Sequence, residues 1–135
     1  TIKLYICKTA FATSKAGSRH YIHASDVANA VLHIYSLMVH TGIKPEEFGG
    51  AKCNKFNIVG TEEIDNLSLA KIIAKAQGKE LKYKMVDFHS SRPGHDLRYA
   101  LSSGRLGTSG WRSSNTKLQL EKTVRWTLNN PEWLL

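Results

Sequence analysis

The densest group of side chains that could do chemistry in this sequence lies between residues 92 and 99. The run reads Arg-Pro-Gly-His-Asp-Leu-Arg-Tyr and places two arginines, a histidine, an aspartate and a tyrosine around a Pro-Gly turn. An arginine offers a planar fork of donors that matches phosphate geometry, and a glycine lets the main chain come close to a ligand. The pattern therefore fits an anion-binding turn. The alternative, a surface turn closed by an Arg–Asp pair, carries about equal weight on pattern alone.

Two further residues outside this run are candidates for binding an anion. Arg19 lies where a loop leads into a predicted strand, although an ordinary surface arginine is the simpler interpretation of this residue alone. Asn66 precedes a segment with helical periodicity, so its position predicts an N-cap, and helix N-termini also bind anions. His20 and His23 would share one face of a strand, but no third metal ligand is evident, so packing or surface roles are favoured.

Signatures of catalysis are missing from the sequence. It contains no G-x-G-x-x-G, P-loop, H-E-x-x-H or G-x-S-x-G motif. Tyr5 and Lys8 are three residues apart, whereas a Tyr-x-x-x-Lys pair requires four. The residues therefore predict neither a catalytic group nor a metal site in this chain.

The elements that must position the candidate residues alternate between short strands and helices, which predicts an α/β or α+β class. Periodicity and caps predict strands over 2–6, 20–23, 55–59 and 81–86, and helices over 26–40, 66–77, 102–106 and 116–129. Ser25 is the predicted N-cap of the first helix and Gly42 its predicted end.

The helix over 26–40 is apolar over a broad arc, with Val27, Val31, Ile34 and Met38 at helical spacing. Such a helix needs a sheet to cover it, and three or four short strands hardly supply one. We therefore expect it to pack against more of the same polypeptide or against another subunit. The last helix should turn Leu120, Val124 and Leu128 inward.

Composition narrows the class of protein. The chain has 135 residues, of which 41% are hydrophobic and 22% charged, so it is one domain or a piece of a larger one rather than a disordered segment. No apolar stretch approaches the roughly 18 residues of a transmembrane helix. Two cysteines are too few for a disulfide scaffold and favour a reducing compartment. The net charge of +8 suits nucleic acid, an anionic membrane or a phosphorylated ligand equally, but the three tryptophans lack the spacing of a base-stacking platform.

Several segments, in order, resemble the C-terminal part of one family. They are S-R-H-Y-I-H-A-S-D-V-A-N-A from Ser18, F-N-I-V-G-T-E-E-I-D-N-L-S-L-A from Phe56, R-P-G-H-D-L-R-Y-A from Arg92, and L-E-K-T-V-R-W-T-L-N-N-P-E-W from Leu120. The family is the nucleotide-sugar 4,6-dehydratases of the dTDP-glucose type, within the extended short-chain dehydrogenase/reductase superfamily. The resemblance covers about residues 18–134, and the R-P-G-H-D-x-R-Y string is its most specific part.

The resemblance implies an α/β fold: the C-terminal substrate-binding portion of an extended short-chain dehydrogenase/reductase, with few short strands and three main helices. Residues 1–135 would form a single such portion, and the chain would be a fragment. Residues 26–60 and 101–115 would complete a nucleotide-binding domain whose N-terminal part is absent.

The resemblance also implies a binding site for a nucleotide diphosphate sugar. Arg19 would contact the diphosphate and Asn66 the nucleotide. A loop would cover the nucleotide sugar, with Arg92 at the phosphates; its residues are Ser91, Arg92, Pro93, Gly94 and His95.

The family's reaction uses tightly held NAD. A hydride leaves the fourth carbon of the sugar, water is eliminated across the fifth and sixth, and the hydride returns to the sixth. The groups for this chemistry lie in the family's N-terminal portion, so this chain would hold substrate but neither NAD nor a catalytic residue. The whole protein is predicted to be a cytoplasmic homodimer that binds neither nucleic acid nor membranes.

Some positions depart from the family pattern. Ser91 stands where the family usually has Asp, Arg19-His20-Tyr21 replaces R-D-W, and the loops over 7–17 and 41–54 are longer. These departures leave the nucleotide base and the sugar open. They also leave room for a divergent 4,6-dehydratase, or for an epimerase or decarboxylase acting on nucleotide sugars. The net charge adds a less favoured alternative, a basic nucleic-acid-binding module.

Overall fold

The computed structural model of the protein describes residues 1–8, 14–42, 44, 47, 55–87 and 96–134. Within these residues short strands alternate with helices, and three helices are longer than one or two turns, which confirms the predicted α/β class. The strands are β1 Ile2–Lys8, β2 Ser14–Ala16, β3 Ser18–His20, β4 Glu63–Asp65, β5 Tyr83–Asp87 and β6 Arg98–Tyr99. The helices are α1 Ala24–Thr41, α2 Asn66–Ala76, α3 Gly104–Thr108 and α4 Thr116–Asn129, followed by a 3-10 turn over Pro131–Leu134.

The described strands form two three-stranded sheets. In the first, with the order β2-β1-β5, β1 runs antiparallel to β2 and parallel to β5, in a register that sets Ile2 beside Tyr83. In the second, with the order β4-β3-β6, the central strand β3 runs parallel to β6. The register pairs Ser18 with Arg98 and Arg19 with Tyr99. The second sheet therefore carries one of the candidate residues on its central strand.

The chain divides into two compact units. The first comprises Thr1–Arg19, Glu63–Ala100 and Lys117–Leu135, and the second comprises His20–Glu62 and Leu101–Thr116. Both sheets except the last residue of β3, all of α2 and nearly all of α4 belong to the first unit, while α1 and α3 belong to the second. The division leaves the second unit built mainly of helix and irregular chain.

The second unit has a small apolar core. Ala30 on α1 and Leu106 on α3 are fully buried, and Trp111 is 8% exposed. Partly buried hydrophobic side chains pack against these three: Ile22, Ile34, Phe56 and Ile58. The 55–59 segment, predicted as a strand, has no regular secondary structure in the structure. The alternation of Phe56 and Ile58 signals inward packing in both cases, but a strand also needs a hydrogen-bonded neighbour.

The end of α1 was predicted correctly, but its start was not. The helix begins at Ala24, and its N-cap is His23 rather than the predicted Ser25, because the His23 ring nitrogen Nδ1 accepts from the Ser25 main-chain N–H. The predicted strand over 20–23 is accordingly displaced to 18–20. At the other end Gly42 adopts a left-handed conformation with φ of 65°, which confirms the predicted stop.

Polar contacts fasten α1 to the segment that follows α3. Asp26 is 7% exposed, and its carboxylate accepts hydrogen bonds from the Ser114 hydroxyl at 2.7 Å and the Ser114 main-chain N–H at 3.3 Å. His33 Nε2 lies 3.0 Å from the Ser109 hydroxyl. The two hydrogen bonds from Ser114 give the buried Asp26 carboxylate the partners that burial requires.

The predicted apolar stripe of α1 is divided between core and surface. Ile34 packs against the core, but Val31, Leu32 and Tyr35 are each more than half exposed, and Val27 and Met38 are also exposed. The helix therefore leaves a continuous apolar face uncovered, as expected from its broad arc.

The last helix has the predicted limits, Thr116 to Asn129. Leu120 and Val124 are half-buried, but Leu128, predicted to face inward, is exposed. The 3-10 turn over Pro131–Leu134 places the ring centroid of Trp133 5.7 Å from that of Trp126. Within the described part of the chain, no helix combines the length and apolarity that crossing a bilayer would require.

Candidate functional site

Two of the predicted site residues converge in the first unit. Arg19 lies on the central strand of the second sheet, and Asn66 is the first residue of α2. The Asn66 main-chain N–H donates to the Gly17 carbonyl at 2.8 Å. A Cβ placed on Gly17 would lie 3.2 Å from the Asn66 amide nitrogen and 3.9 Å from a terminal nitrogen of Arg19. A side chain at position 17 would therefore occupy the space beside both Asn66 and Arg19. The other predicted residues lie outside the described part of the chain: Ser91, Arg92, Pro93, Gly94 and His95.

The guanidinium of Arg19 is held in a defined plane. Its central carbon lies 4.1 Å from the centroid of the Tyr99 ring, a cation–π distance. One terminal nitrogen donates to the carbonyls of Ser18 at 2.6 Å and Leu97 at 3.2 Å, and the other donates to the Asp96 carbonyl at 3.3 Å. These contacts use three of the five N–H donors of a guanidinium. All three acceptors are neutral main-chain oxygens, so these bonds orient the cation without neutralising it.

Two of the three acceptors of Arg19 come from the segment that directly follows residues 91–95. Asp96 and Leu97 lead from that run into β6, and Tyr99 ends β6. A hydrogen bond to the Asp96 carboxylate raises the pKa of Tyr99, burial and the Asp96 charge add to this, and Arg19 acts in the opposite sense. The phenol is therefore neutral at physiological pH and presents an intact aromatic face to the cation.

The start of α2 differs from the prediction by one residue. The N-cap is Asp65, whose Oδ1 accepts from the main-chain N–H groups of Leu67 and Ser68, both at 2.9 Å. Its Oδ2 accepts from the Ser68 hydroxyl at 2.6 Å. Burial acts to raise the pKa of Asp65, but the hydrogen bonds from Ser68 and Leu67 outweigh burial and hold this pKa below its ordinary value. Because Asp65 performs the capping, the side chain of Asn66 is released from that role.

A three-residue cluster beside these residues was not predicted from the sequence. Arg98 donates from Nε to Glu63 Oε1 and from Nη2 to Glu63 Oε2, both at 2.7 Å. The Ser18 hydroxyl donates to Glu63 Oε1 at 2.5 Å. The hydrogen bonds and charge of Glu63 raise the pKa of Arg98. We call Ser18, Glu63 and Arg98 the Glu63 clamp. Its members are up to 80 residues apart in sequence, and only the strand order brings them together.

Cavities of several hundred cubic ångströms lie in the described part of the chain. The Glu63 clamp borders one of about 490 Å³, to which Asp65 and Leu97 also contribute. Asn66 lines a mostly apolar cleft of about 580 Å³ between β1 and α2. Another, of about 780 Å³, belongs to the second unit and lies beside Gly60 and α3.

The two histidines considered as metal ligands, His20 and His23, make contacts within the fold. His23 caps α1, and His20 Nδ1 lies 3.4 Å from the Gly60 carbonyl. The described residues contain no group of three or more His, Cys, Asp or Glu side chains arranged to hold a metal ion.

Known proteins share both the sequence and the fold of this chain. A dTDP-glucose 4,6-dehydratase from Escherichia coli is 30% identical over 126 residues, which are 85% of this chain and 32% of that protein. An enzyme from Arabidopsis thaliana, named trifunctional UDP-glucose 4,6-dehydratase/UDP-4-keto-6-deoxy-D-glucose 3,5-epimerase/UDP-4-keto-L-rhamnose-reductase, is 31% identical over 116 residues, or 85% of this chain and 15% of that protein. The chain thus spans about a third, or less, of the length of these curated relatives. No protein-family model matches it.

Solved structures agree with the sequence relatives. The dTDP-glucose 4,6-dehydratase from Bacillus anthracis, crystallised in complex with NAD, superposes with a TM-score of 0.64 at 25% identity. The match covers 97% of this chain and 35% of that one. A UDP-glucose 4-epimerase from Bifidobacterium longum, in complex with NAD⁺ and UDP, gives a TM-score of 0.59 at 19% identity, over 96% of this chain and 35% of that one. The second likeness concerns the fold alone.

Proposed function

The chain belongs to the nucleotide-sugar 4,6-dehydratases of the extended short-chain dehydrogenase/reductase superfamily and corresponds to their C-terminal part, and from that premise we propose that the whole protein is an NAD-dependent lyase acting on a nucleotide diphosphate glucose. In this proposal the chain contributes the substrate-binding side of the enzyme. The nucleotide base stays open, because the names of the relatives include both dTDP-glucose and UDP-glucose.

The observation that carries the proposal is the setting of Arg19. Its guanidinium is oriented by the Tyr99 ring and by main-chain oxygens, and within the described residues these three bonds leave it its charge and two of its five N–H donors. An arginine fixed in this way suits a diphosphate, whose oxygens accept paired hydrogen bonds. Asn66, whose amide nitrogen lies beside the same Cβ position of Gly17 as the Arg19 guanidinium, is proposed to contact the nucleotide.

We propose that residues 91–95 complete the site as a loop over the nucleotide sugar. The support is that this run leads directly into the Asp96–Tyr99 segment to which Arg19 is bonded. Arg92 would then contact the phosphates. Ser91, Pro93, Gly94 and His95 would line the sugar, with Ser91 a departure from the usual Asp.

NAD in the proposed enzyme would be bound outside this chain, because the sequence has no glycine-rich dinucleotide turn. When bound, NAD supplies the acceptor and donor of a hydride. The residues of this chain would bind the diphosphate, orient the sugar and hold the site closed to water. No proton transfer is assigned to them.

We further propose that the second unit completes the nucleotide-binding domain of the whole protein. The prediction assigned residues 26–60 and 101–115 to that role, and the second unit comprises His20–Glu62 and Leu101–Thr116. The uncovered apolar face of α1 supports the proposal, since a face of this kind is suited to cover a sheet. A cytoplasmic homodimer is proposed for the whole protein, to be tested by light scattering and cell fractionation.

The test is calorimetric titration of the full-length protein with dTDP-glucose and with UDP-glucose. Replacing either arginine, as Arg19→Ala or Arg92→Ala, is expected to weaken binding by about 1.5–3 kcal/mol, the contribution of hydrogen bonds to a charged group. Arg125→Ala, on the exposed surface of α4, is the matched control and should bind as the unaltered protein does.

Three outcomes would decide against parts of the proposal. Normal binding by both arginine variants would remove the assignment of the diphosphate site. Conversion of the sugar to its 4-epimer, instead of a 4-keto-6-deoxy product, would identify an epimerase. Binding of a short RNA that weakens steeply with salt, with no binding of either nucleotide sugar, would identify a nucleic-acid module.

A further inference from the structure

A single carboxylate connects all three strands of the second sheet. Glu63 lies on the outer strand β4, Ser18 on the central strand β3 and Arg98 on the other outer strand β6. Glu63 Oε1 accepts from both Ser18 and Arg98, and Oε2 accepts a second hydrogen bond from Arg98. The Glu63 clamp therefore bridges the two outer strands across the strand that carries Arg19.

The clamp and the stacked Arg19 lie on opposite faces of the sheet. Ser18 and Arg98 are register partners, and so are the next residues along each strand, Arg19 and Tyr99. Successive side chains of a strand point to opposite faces. A ligand at Arg19 would therefore not meet Glu63, so any influence of Glu63 on binding must act through the strands.

Each strand held by the clamp leads directly to a proposed binding residue or to the aromatic ring that orients one. On β4, Glu63 precedes Asp65, which caps α2, and Asn66, which begins α2. On β6, Arg98 precedes Tyr99, the ring beneath Arg19. A change in the spacing of β4, β3 and β6 would therefore alter the separation of Arg19 and Asn66.

The strands themselves are too short to fix that spacing firmly. They contain three, three and two residues, so few main-chain hydrogen bonds join them. The Arg98 side chain is 61% exposed and that of Glu63 is 29% exposed. Exposed ion pairs add little to stability, whereas a two-point contact between an arginine and a carboxylate restricts the orientation of both groups. The clamp is thus better suited to set geometry than to stabilise the fold.

We propose that Glu63 is a positioning residue for the nucleotide diphosphate site: by joining β4, β3 and β6 it sets the distance between Arg19 and Asn66. The inference rests on the proposed function, because it takes these two residues to be the ones that bind the ligand. Glu63 itself touches no substrate.

The experiment uses the full-length protein and measures the Kd of the preferred nucleotide sugar, kcat, KM and the melting temperature. Glu63→Gln keeps the shape of the side chain but removes the charge. It is expected to raise Kd and KM by about three- to tenfold, leave kcat unchanged and shift the melting temperature by less than about 2 °C. Glu80→Gln, an exposed carboxylate of the same unit, is the control and should change none of these quantities.

A charge-reversal pair separates positioning from a general structural role. Arg98→Glu alone should weaken binding at least as much as Glu63→Gln, and the double variant Glu63→Arg with Arg98→Glu should recover most of the lost affinity. Recovery at constant melting temperature supports the proposal. A Glu63→Gln variant that loses melting temperature and affinity together, with no recovery in the double variant, overturns it.

The outcome for Arg19→Ala distinguishes failure of the positioning role of Glu63 from failure of the diphosphate site. If Arg19→Ala weakens binding and Glu63→Gln does not, the positioning role is wrong and the diphosphate site stands. If neither Arg19→Ala nor Arg92→Ala changes binding, the proposed diphosphate site itself is wrong, and the positioning role is wrong with it.

Discussion

The core of the second unit and the candidate site of the first unit are held by different kinds of contact. In the core, Leu106 and Ala30 are fully buried and pack with Trp111. Around the site, Arg19 is held by carbonyl oxygens and an aromatic face, and Glu63 by hydrogen bonds from Ser18 and Arg98. Apolar burial stabilises in proportion to area but has no direction, whereas hydrogen bonds fix the positions of atoms. Changes in the core should therefore reduce stability, and changes at the site should reduce binding more than stability.

The largest effect on stability is expected at the centre of the core. Leu106→Ala removes a side chain with no solvent exposure and leaves a cavity, so it should lower the free energy of unfolding by about 2–5 kcal/mol. Urea denaturation of the full-length protein measures this change. Leu101→Ala, at a leucine that is 64% exposed and precedes the same helix, is the matched control and should stay within about 0.5 kcal/mol. Equal losses in the two variants would contradict the assignment of the core.

A smaller effect is expected at the cap of α2, next to the site. Asp65→Ala leaves the N–H groups of Leu67 and Ser68 without their acceptor and should lower the free energy of unfolding by about 0.5–2 kcal/mol. Affinity for the nucleotide sugar should fall as well, because Asn66 is the next residue.

The cap should also give the stability a defined pH dependence. The pKa of Asp65 is lower in the folded protein than its ordinary value of 3.8, so its contribution is present above about that pH. The contribution is lost as the pH falls through the folded value. Asp65→Asn retains a good N-cap but does not titrate, so the difference in stability between the two proteins should shrink on acidification below about pH 4. A difference that stays constant from pH 6 to pH 3 would show that the carboxylate charge plays no part in the cap.

The sequence was sufficient for features that depend on neighbouring residues. Gly42 ends α1, and Thr116 and Asn129 limit α4, because caps and periodicity are local signals. Both helix starts that were assigned to a single cap residue were misplaced, by two residues at Ser25 and by one at Asn66. In each case the side chain of a preceding residue, His23 or Asp65, caps the helix instead.

Features that depend on distant residues were beyond the sequence. Arg19 and Asn66 were chosen by type and by resemblance, and their approach at Gly17 required the order of the strands in the second sheet. The Glu63 clamp gave no local signal, since Glu63 and Arg98 are 35 residues apart and each alone is an ordinary charged residue. The strand predicted over 55–59 failed for a related reason: alternation reports which side chains are buried but not whether a partner strand exists.

The smallest effect on the chain itself is expected on the uncovered face of α1. Leu32 is 63% exposed, so Leu32→Gln should change the stability of the 135-residue chain by no more than about 0.5 kcal/mol. Leucine and glutamine also have similar helix propensities, so the helix itself should be unaffected. Ser36→Gln, at an exposed polar position of the same helix, is the control.

The same substitution should lower stability more when it is made in the full-length protein. If the second unit completes a nucleotide-binding domain, Leu32 is covered there, and Leu32→Gln should cost about 1–2 kcal/mol, the order expected for losing the burial of a leucine side chain. Ser36→Gln should stay near zero in both proteins. A Leu32→Gln effect as small in the full-length protein as in the chain would mean that this face of α1 remains exposed to solvent, and the proposed role of the second unit would then lose its main physical support.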